Sequence, residues 1–208
     1  MQIIYIVRLI TIICMYLAVL LFFCALLFSN YHSFSSNRSV VTFGLIVVNA
    51  LFLLFFLFRR KAKAVAHSPI AWLLGFGCAI LPLLLRPEDT APANPLADIG
   101  KPVQLLGAGL TIAALLSLRR SFGIVAAHRG IQTGGLYRWV RHPMYTAEWL
   151  LLLGFTLAHA SAWNAFICGL AVLFQVLRAR LEERLLLADP VYQAYWQRCP
   201  RRFLPGIW

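Results

Sequence analysis

The stretch LITIICMYLAVLLFFCALLF, residues 9–28, carries no charge over 20 positions. A helix that crosses the hydrocarbon core of a bilayer needs about 20 apolar residues. A cleaved secretory signal has a shorter apolar stretch, about 7–15 residues, ending at small residues. No small-residue cleavage site follows residue 28, so the run is expected to be a retained transmembrane helix.

Working outward, five more apolar segments can be drawn, at 40–58, 70–85, 103–118, 145–157 and 163–177. The chain has 208 residues, of which 61% are hydrophobic. Soluble domains average about 45–50%. The third segment contains Gly75, Gly77 and Pro82, and the fifth is short for a full crossing. The last two are separated only by AHASA (158–162), which predicts a tight helical hairpin. The expected fold is therefore all-α: a polytopic transmembrane helical bundle of about 5–6 membrane segments, closed by a C-terminal hairpin. Residues 1–102 would supply N-terminal transmembrane segments and 103–208 the functional core of a single membrane domain.

The formal charge of +12 comes from 19 basic and 7 acidic residues. Nucleic-acid binding would explain the sign but not the placement. Arg59, Arg60, Lys61 and Lys63 follow the second segment, Arg119 and Arg120 the fourth, and Arg178, Arg180 and Arg184 the sixth. Arg129, Arg138 and Arg141 precede the fifth. With the N-terminus inside, every cluster falls on the cytoplasmic side, as the positive-inside rule requires. The partners implied are membrane lipids, not nucleic acid. The expected location is a bacterial inner (cytoplasmic) membrane, with both termini and the functional site cytoplasmic. Residues 86–101, with three prolines and three acidic residues, read as an external linker.

Five cysteines occur without CxxC spacing, and four lie in apolar runs, where Cys behaves as a small hydrophobe. His128 and His142 are 14 apart, with no ligand-type pattern nearby, so no metal is expected. Gly107 and Gly109 would permit close helix packing, while the oligomeric state cannot be read.

Two polar stretches remain, 119–145 and 178–208, both on the same expected side. In GGLYRWVRHPMY (134–145), Pro143 pushes His142 out of the helical region and is itself favoured at the first helical position. The fifth segment thus begins at the membrane surface with free amides, a place for a carboxylate or phosphate. Gly134 and Gly135 would clear space for a ligand. An ordinary capped loop with interfacial aromatics is the plain alternative. Farther on, Arg178 and Glu182 are four apart and share a helix face, with Glu183 beside them. An i,i+4 ion pair alone would explain them. Ionisable residues at a bilayer edge more often face a cavity.

The ordered set SFGIV (121–125), RGIQTGGLYRWVRHPMY (129–145), RxxxEE (178–183), YxxY (192–195) and RFLPG (202–206) resembles the isoprenylcysteine carboxyl methyltransferase family, over roughly 103–208. The resemblance implies an S-adenosylmethionine-dependent membrane methyltransferase with a cytoplasmic cofactor pocket and a catalytic core over 103–208. It carries cofactor contacts onto Arg129, Gly130, Ile131 and Gln132, onto Tyr137, and onto His142, Pro143, Met144 and Tyr145. It makes Glu182 the residue that holds the cofactor and Arg178 the one that faces the substrate, the two expected catalytic residues. Asp189-Pro190 replaces the family's usual Phe-Gly, and the spacing from Glu182 to Tyr192 is about two residues short of the family pattern. Arg180 with Glu183 is therefore an alternative pairing.

The implied acceptor is a lipophilic small molecule or prenylated chain, methylated on a carboxylate as in isoprenylcysteine. An α-carboxyl ionises at a pKa of about 3.3–3.7, so no general base is needed. A lipid amine, a small thiol or an isoprenoid acid are alternative acceptors, and an amine would require a base such as His142 or Glu183. A non-catalytic membrane protein is the alternative from another class.

Overall fold

The computed structural model describes residues 2–66, 68–87 and 95–206. Seven α-helices account for most of them: α1 (Gln2–Asn37), α2 (Val40–Leu57), α3 (Pro69–Ile80), α4 (Ala97–Leu118), α5 (Pro143–Ala158), α6 (Ala162–Leu186) and α7 (Pro190–Arg198). The only strands among the described residues are β1 (Ala64–Val65) and β2 (Ala127–His128). The fold is the all-α polytopic membrane bundle expected. Four helices among the described residues are long and apolar enough to cross a membrane: Ile13–Asn37, Val40–Leu57, Ala97–Ser121 and Ala162–Leu186.

The remaining apolar segments are shorter. α3 runs into a 3-10 turn at Leu81–Leu84, where Pro82 falls at the turn's start. α5 has 16 residues. Two boundaries move from their expected places. The fourth helix begins at Ala97, inside the stretch expected to be linker; of that linker, 88–94 lies outside the described residues. The sixth helix continues nine residues past position 177 to Leu186. Hydropathy ends where charge begins, but Arg, Leu and Glu are good helix formers, so the helix does not end there.

The chain forms two compact units, Met1–Leu54 and Phe55–Trp208. The first contains α1 and most of α2, with Phe23 stacked on Phe52 at 6.1 Å. The second holds everything that follows. In it α5 packs most extensively on α4, not on its hairpin neighbour α6. Small residues explain the choice. A Cβ on Gly107 would lie 2.5 Å from the Leu151 nitrogen, and one on Gly100 2.5 Å from that of Ala158. The two backbones therefore touch. Gly109, by contrast, faces open space.

The segment after α2 is pinned to the loop after α4. β1 pairs antiparallel with β2, Ala64 opposite His128. Arg60 N donates to Arg120 O at 2.8 Å, and Arg129 Nη1 donates to Arg60 O at 2.6 Å. The basic residues 59–63 and 119–129 thus share one end of the second unit, as the charge pattern required of them.

Candidate functional site

A cleft opens at that end, between the loop 121–132, the start of α5, the last turns of α6, and α7. Each wall has a local cause. Pro143 is the first residue of α5 and His142 its cap, with backbone outside the helical region (φ −127°, ψ 57°), as the His-Pro pair predicted. Pro143 has no N–H, so the amides of Met144 and Tyr145 are the ones the first turn leaves without a helical partner. α7 starts at Pro190 because Asp189 Oδ1 accepts from Val191 N at 2.8 Å. The departure Asp189-Pro190 is thus a complete helix start. Asp189 Oδ2 also meets His128 Nε2 at 2.8 Å, tying α7 to β2. The Val191 amide, and then His128, hold the Asp189 carboxyl below the ordinary carboxylate range.

Glu182 and Glu183 have different tasks. Glu182 lines the cleft, accepts from Tyr145 Oη at 2.8 Å and from Arg178 Nε at 3.1 Å. Arg178 is buried and anchors its Nη2 on Gly123 O at 2.7 Å, with its guanidinium 5.5 Å from the Tyr145 ring centre. Glu183 is 2% exposed and points away. It accepts from Arg141 Nε at 2.9 Å, from Arg202 Nη2 at 2.8 Å, and faces His142 Nε2 at 3.1 Å. Arg141 also donates to the carbonyls of Cys199 and Pro200, while the His142 amide donates to Arg202 O. Glu183 therefore clamps the C-terminal segment onto the helix start. Arg180 is exposed, and Glu183's cations are Arg141 and Arg202, so the alternative pairing of Arg180 with Glu183 does not form.

Of the residues singled out in the sequence, Gly130, Ile131, Gln132, Tyr137, His142, Met144, Tyr145, Arg178 and Glu182 meet in the cleft wall. Arg129 and Pro143 do not line it. Arg129 reaches back to Arg60, and Pro143 acts by starting the helix. Gly130 has φ +102°, which an L side chain rarely adopts, and this turns the chain so that Gln132 Nε2 reaches Ser121 Oγ at 3.1 Å. Gly134 and Gly135 do not clear space for a ligand: neither lines the cleft, and Gly135, at φ +60°, backs onto the Ser117 side chain.

Residues missed in the sequence complete the wall: Gly123, Arg141, Tyr192 and Tyr195 among them. Tyr195 Oη donates to Tyr137 O at 2.5 Å, fixing the turn before α5. Burial pushes the phenols of Tyr137, Tyr192 and Tyr195 well above their ordinary value, so they serve as neutral walls and donors. The quoted motifs SFGIV and YxxY contained these positions. Arg141 stood in the quoted run RGIQTGGLYRWVRHPMY, without a role assigned to it.

The wall suits S-adenosylmethionine. It offers two free helix-start amides for a carboxylate, a glutamate for hydroxyl or ammonium groups, and aromatic and aliphatic faces for a base. Comparison with known proteins agrees in kind. The model of the phospholipid methyltransferase family matches residues 101–193, which include most of α4, all of α5 and α6, and the cleft loop. That family is one of integral membrane methyltransferases, of the same fold class as the isoprenylcysteine family. An uncharacterized protein of Schizosaccharomyces pombe is 33% identical over 92 residues, which is 41% of this chain and 27% of that protein. The chain thus spans 27% of the length of the curated relative it matches.

Proposed function

We propose that this protein is an S-adenosylmethionine-dependent methyltransferase that acts on a lipophilic acceptor reaching the cleft from the bilayer. The observation that carries the reading is the buried group Tyr145–Glu182–Arg178 in the cleft wall, directly beside the start of α5. The family match over the same residues supports it.

The bound cofactor would supply an electrophilic methyl group on a sulfonium sulfur. The chain supplies the rest. The amides of Met144 and Tyr145 hold the cofactor's carboxylate. Glu182, kept in place by Tyr145 and Arg178, accepts from its hydroxyl or ammonium groups. The walls exclude water and align the two reactants. Positioning of this kind contributes about 7–11 kcal/mol in favourable cases.

Two acceptors remain in view. A carboxylate, as in an isoprenylcysteine-like molecule, would pair with the N–H groups that Arg178 does not spend on Glu182 and Gly123, and needs no base. A lipid amine, comparably supported by the family match, must lose a proton. Glu183, expected as one base, is held by two arginines, and His142 is turned toward it.

Labelled methyl transfer separates the cases. Membranes containing the protein are given methyl-labelled S-adenosylmethionine and the lipids are extracted. Label in the organic phase supports the reading, and its release as methanol by mild alkali marks a carboxyl ester. Label that resists alkali marks an N-methyl product. No label from a folded protein, across both acceptor classes supplied in excess, rules the activity out.

A further inference from the structure

One turn inward from the cleft lies a polar pair that the reaction as described does not use. Glu148 is the only acidic residue of α5, three residues after Tyr145 and four after Met144, so it shares their face. Helix rise puts it about 4.5 Å further along the axis than Tyr145. Gln175 is three residues before Arg178 on α6 and stands at the same level. Its Nε2 donates to Glu148 Oε2 at 2.6 Å. Gln175 is 1% exposed, and its Oε1 is buried with no hydrogen-bond partner. Glu148 is half-buried, within electrostatic reach of Arg178 and Glu182.

Two features make this pair a site. An ionisable side chain on an apolar helix is kept where it faces a polar partner or a pathway. Here the hydrogen-bonding partner is a neutral amide, and the cation within electrostatic reach, Arg178, is shared with Glu182, which leaves the carboxylate's charge only partly balanced. A buried carbonyl oxygen without a donor is also costly unless something supplies one. Both vacancies ask for the same thing, an N–H, and a cationic one satisfies the charge as well. Arg178 cannot supply it in full, because its Nε and Nη2 are already committed to Glu182 and the Gly123 carbonyl. Around the point where an acceptor would meet the cofactor there are then two carboxylates, Glu148 and Glu182, against one guanidinium.

We propose that Glu148, held by Gln175, is the acceptor-side residue of the cleft: it selects an amine over an anionic acceptor and takes the amine's proton. This rests on the methyltransferase reading of the cleft. An ammonium group enters from the bilayer, donates to Gln175 Oε1 and gives one proton to the Glu148 carboxylate. The freed nitrogen lone pair attacks the sulfonium methyl, and the C–S electrons stay on sulfur. The positive charge lost at sulfur reappears on the methylated nitrogen, and the Glu148 proton returns to water through the cleft.

The test is binding, with and without the cofactor, to the full chain in detergent micelles. Dodecylamine and dodecanoate have the same tail and opposite heads, so micelle partition is common to both. Calorimetry on the wild type is expected to give a preference for the amine of about tenfold or more, typical of a close charge pair. Glu148→Gln is expected to lose that preference and still bind S-adenosylmethionine. Gln175→Leu is expected to weaken the amine and leave the cofactor unaffected. An amine preference that survives Glu148→Gln, or a wild type that prefers dodecanoate, overturns the proposal. If Glu148→Gln does not fold, Glu148→Asp replaces it: retraction of the carboxylate by one methylene is expected to cut amine affinity severalfold, and an unchanged affinity overturns the proposal. Failure of the wild type to bind S-adenosylmethionine overturns the methyltransferase reading instead, and the head-group preference is then judged separately.

Discussion

Arg141 Nε and Glu183 Oε1 lie 2.9 Å apart with each side chain 3% exposed. The pair is not isolated, since Arg202 closes on the other oxygen of the same carboxylate. Three segments distant in sequence meet at one buried charge: the turn before α5, the end of α6, and the stretch after α7. Removing the carboxylate would leave the buried Arg141 guanidinium facing that of the partly buried Arg202. The expected cost of Glu183→Ala is about 3–5 kcal/mol. Thermal unfolding in detergent should show a large loss of stability. Glu182→Ala, at a carboxylate that is 20% exposed, should cost far less stability and act on cofactor binding.

Arg178→Lys keeps the charge and loses the fork. A lysine cannot reach both the Glu182 carboxylate and the Gly123 carbonyl with fixed geometry. Loss of one charged hydrogen bond is worth about 1.5–3 kcal/mol. Turnover in the methyl-transfer assay is expected to fall roughly 10- to 100-fold, with the protein still folded.

The close approach of α4 and α5 predicts opposite outcomes for two nearby glycines. Gly107→Ala pushes a methyl group into the α5 backbone at Leu151 and should cost about 1–3 kcal/mol. Gly109→Ala meets nothing within 4 Å and should be neutral, or stabilising by up to about 1 kcal/mol through helix propensity. Paired melting curves in one detergent decide it.

Asp189 gives a pH signature. Its folded pKa lies below the unfolded value of about 3.9, so its contribution to stability is present above that value. It is lost as pH falls through the folded value, where the carboxylate takes a proton. Asp189→Asn should therefore be less stable than the wild type near neutral pH, with the difference shrinking in acid. A difference independent of pH would show that the carboxylate's charge contributes nothing.

Much of this molecule is legible in its sequence, for identifiable reasons. Apolar runs fix the helices, and His142-Pro143 fixes the start of α5, because both signals are local. Helix ends beyond the apolar runs are not marked by hydropathy. α6 outlasts its run by nine residues, and those residues carry Arg178, Glu182 and Glu183 to the cleft. The division of labour between the two glutamates depends on Arg141 and Arg202, 42 and 19 positions away, and no local pattern announces such a pairing. The glycines show the same limit. Gly134 and Gly135 look like ligand clearance in sequence, yet Gly123 and Gly130, the latter with its positive φ, are the ones at the cleft.

The most direct measurement is calorimetric titration of S-adenosylmethionine into the detergent-solubilised protein, with Glu182→Ala and Arg180→Ala in parallel. The expected result is saturable binding by the wild type, loss with Glu182→Ala, and no change with the exposed Arg180→Ala. A folded wild type that takes up no S-adenosylmethionine, or a Glu182→Ala variant that binds it as well as the wild type does, would contradict the assignment of this cleft.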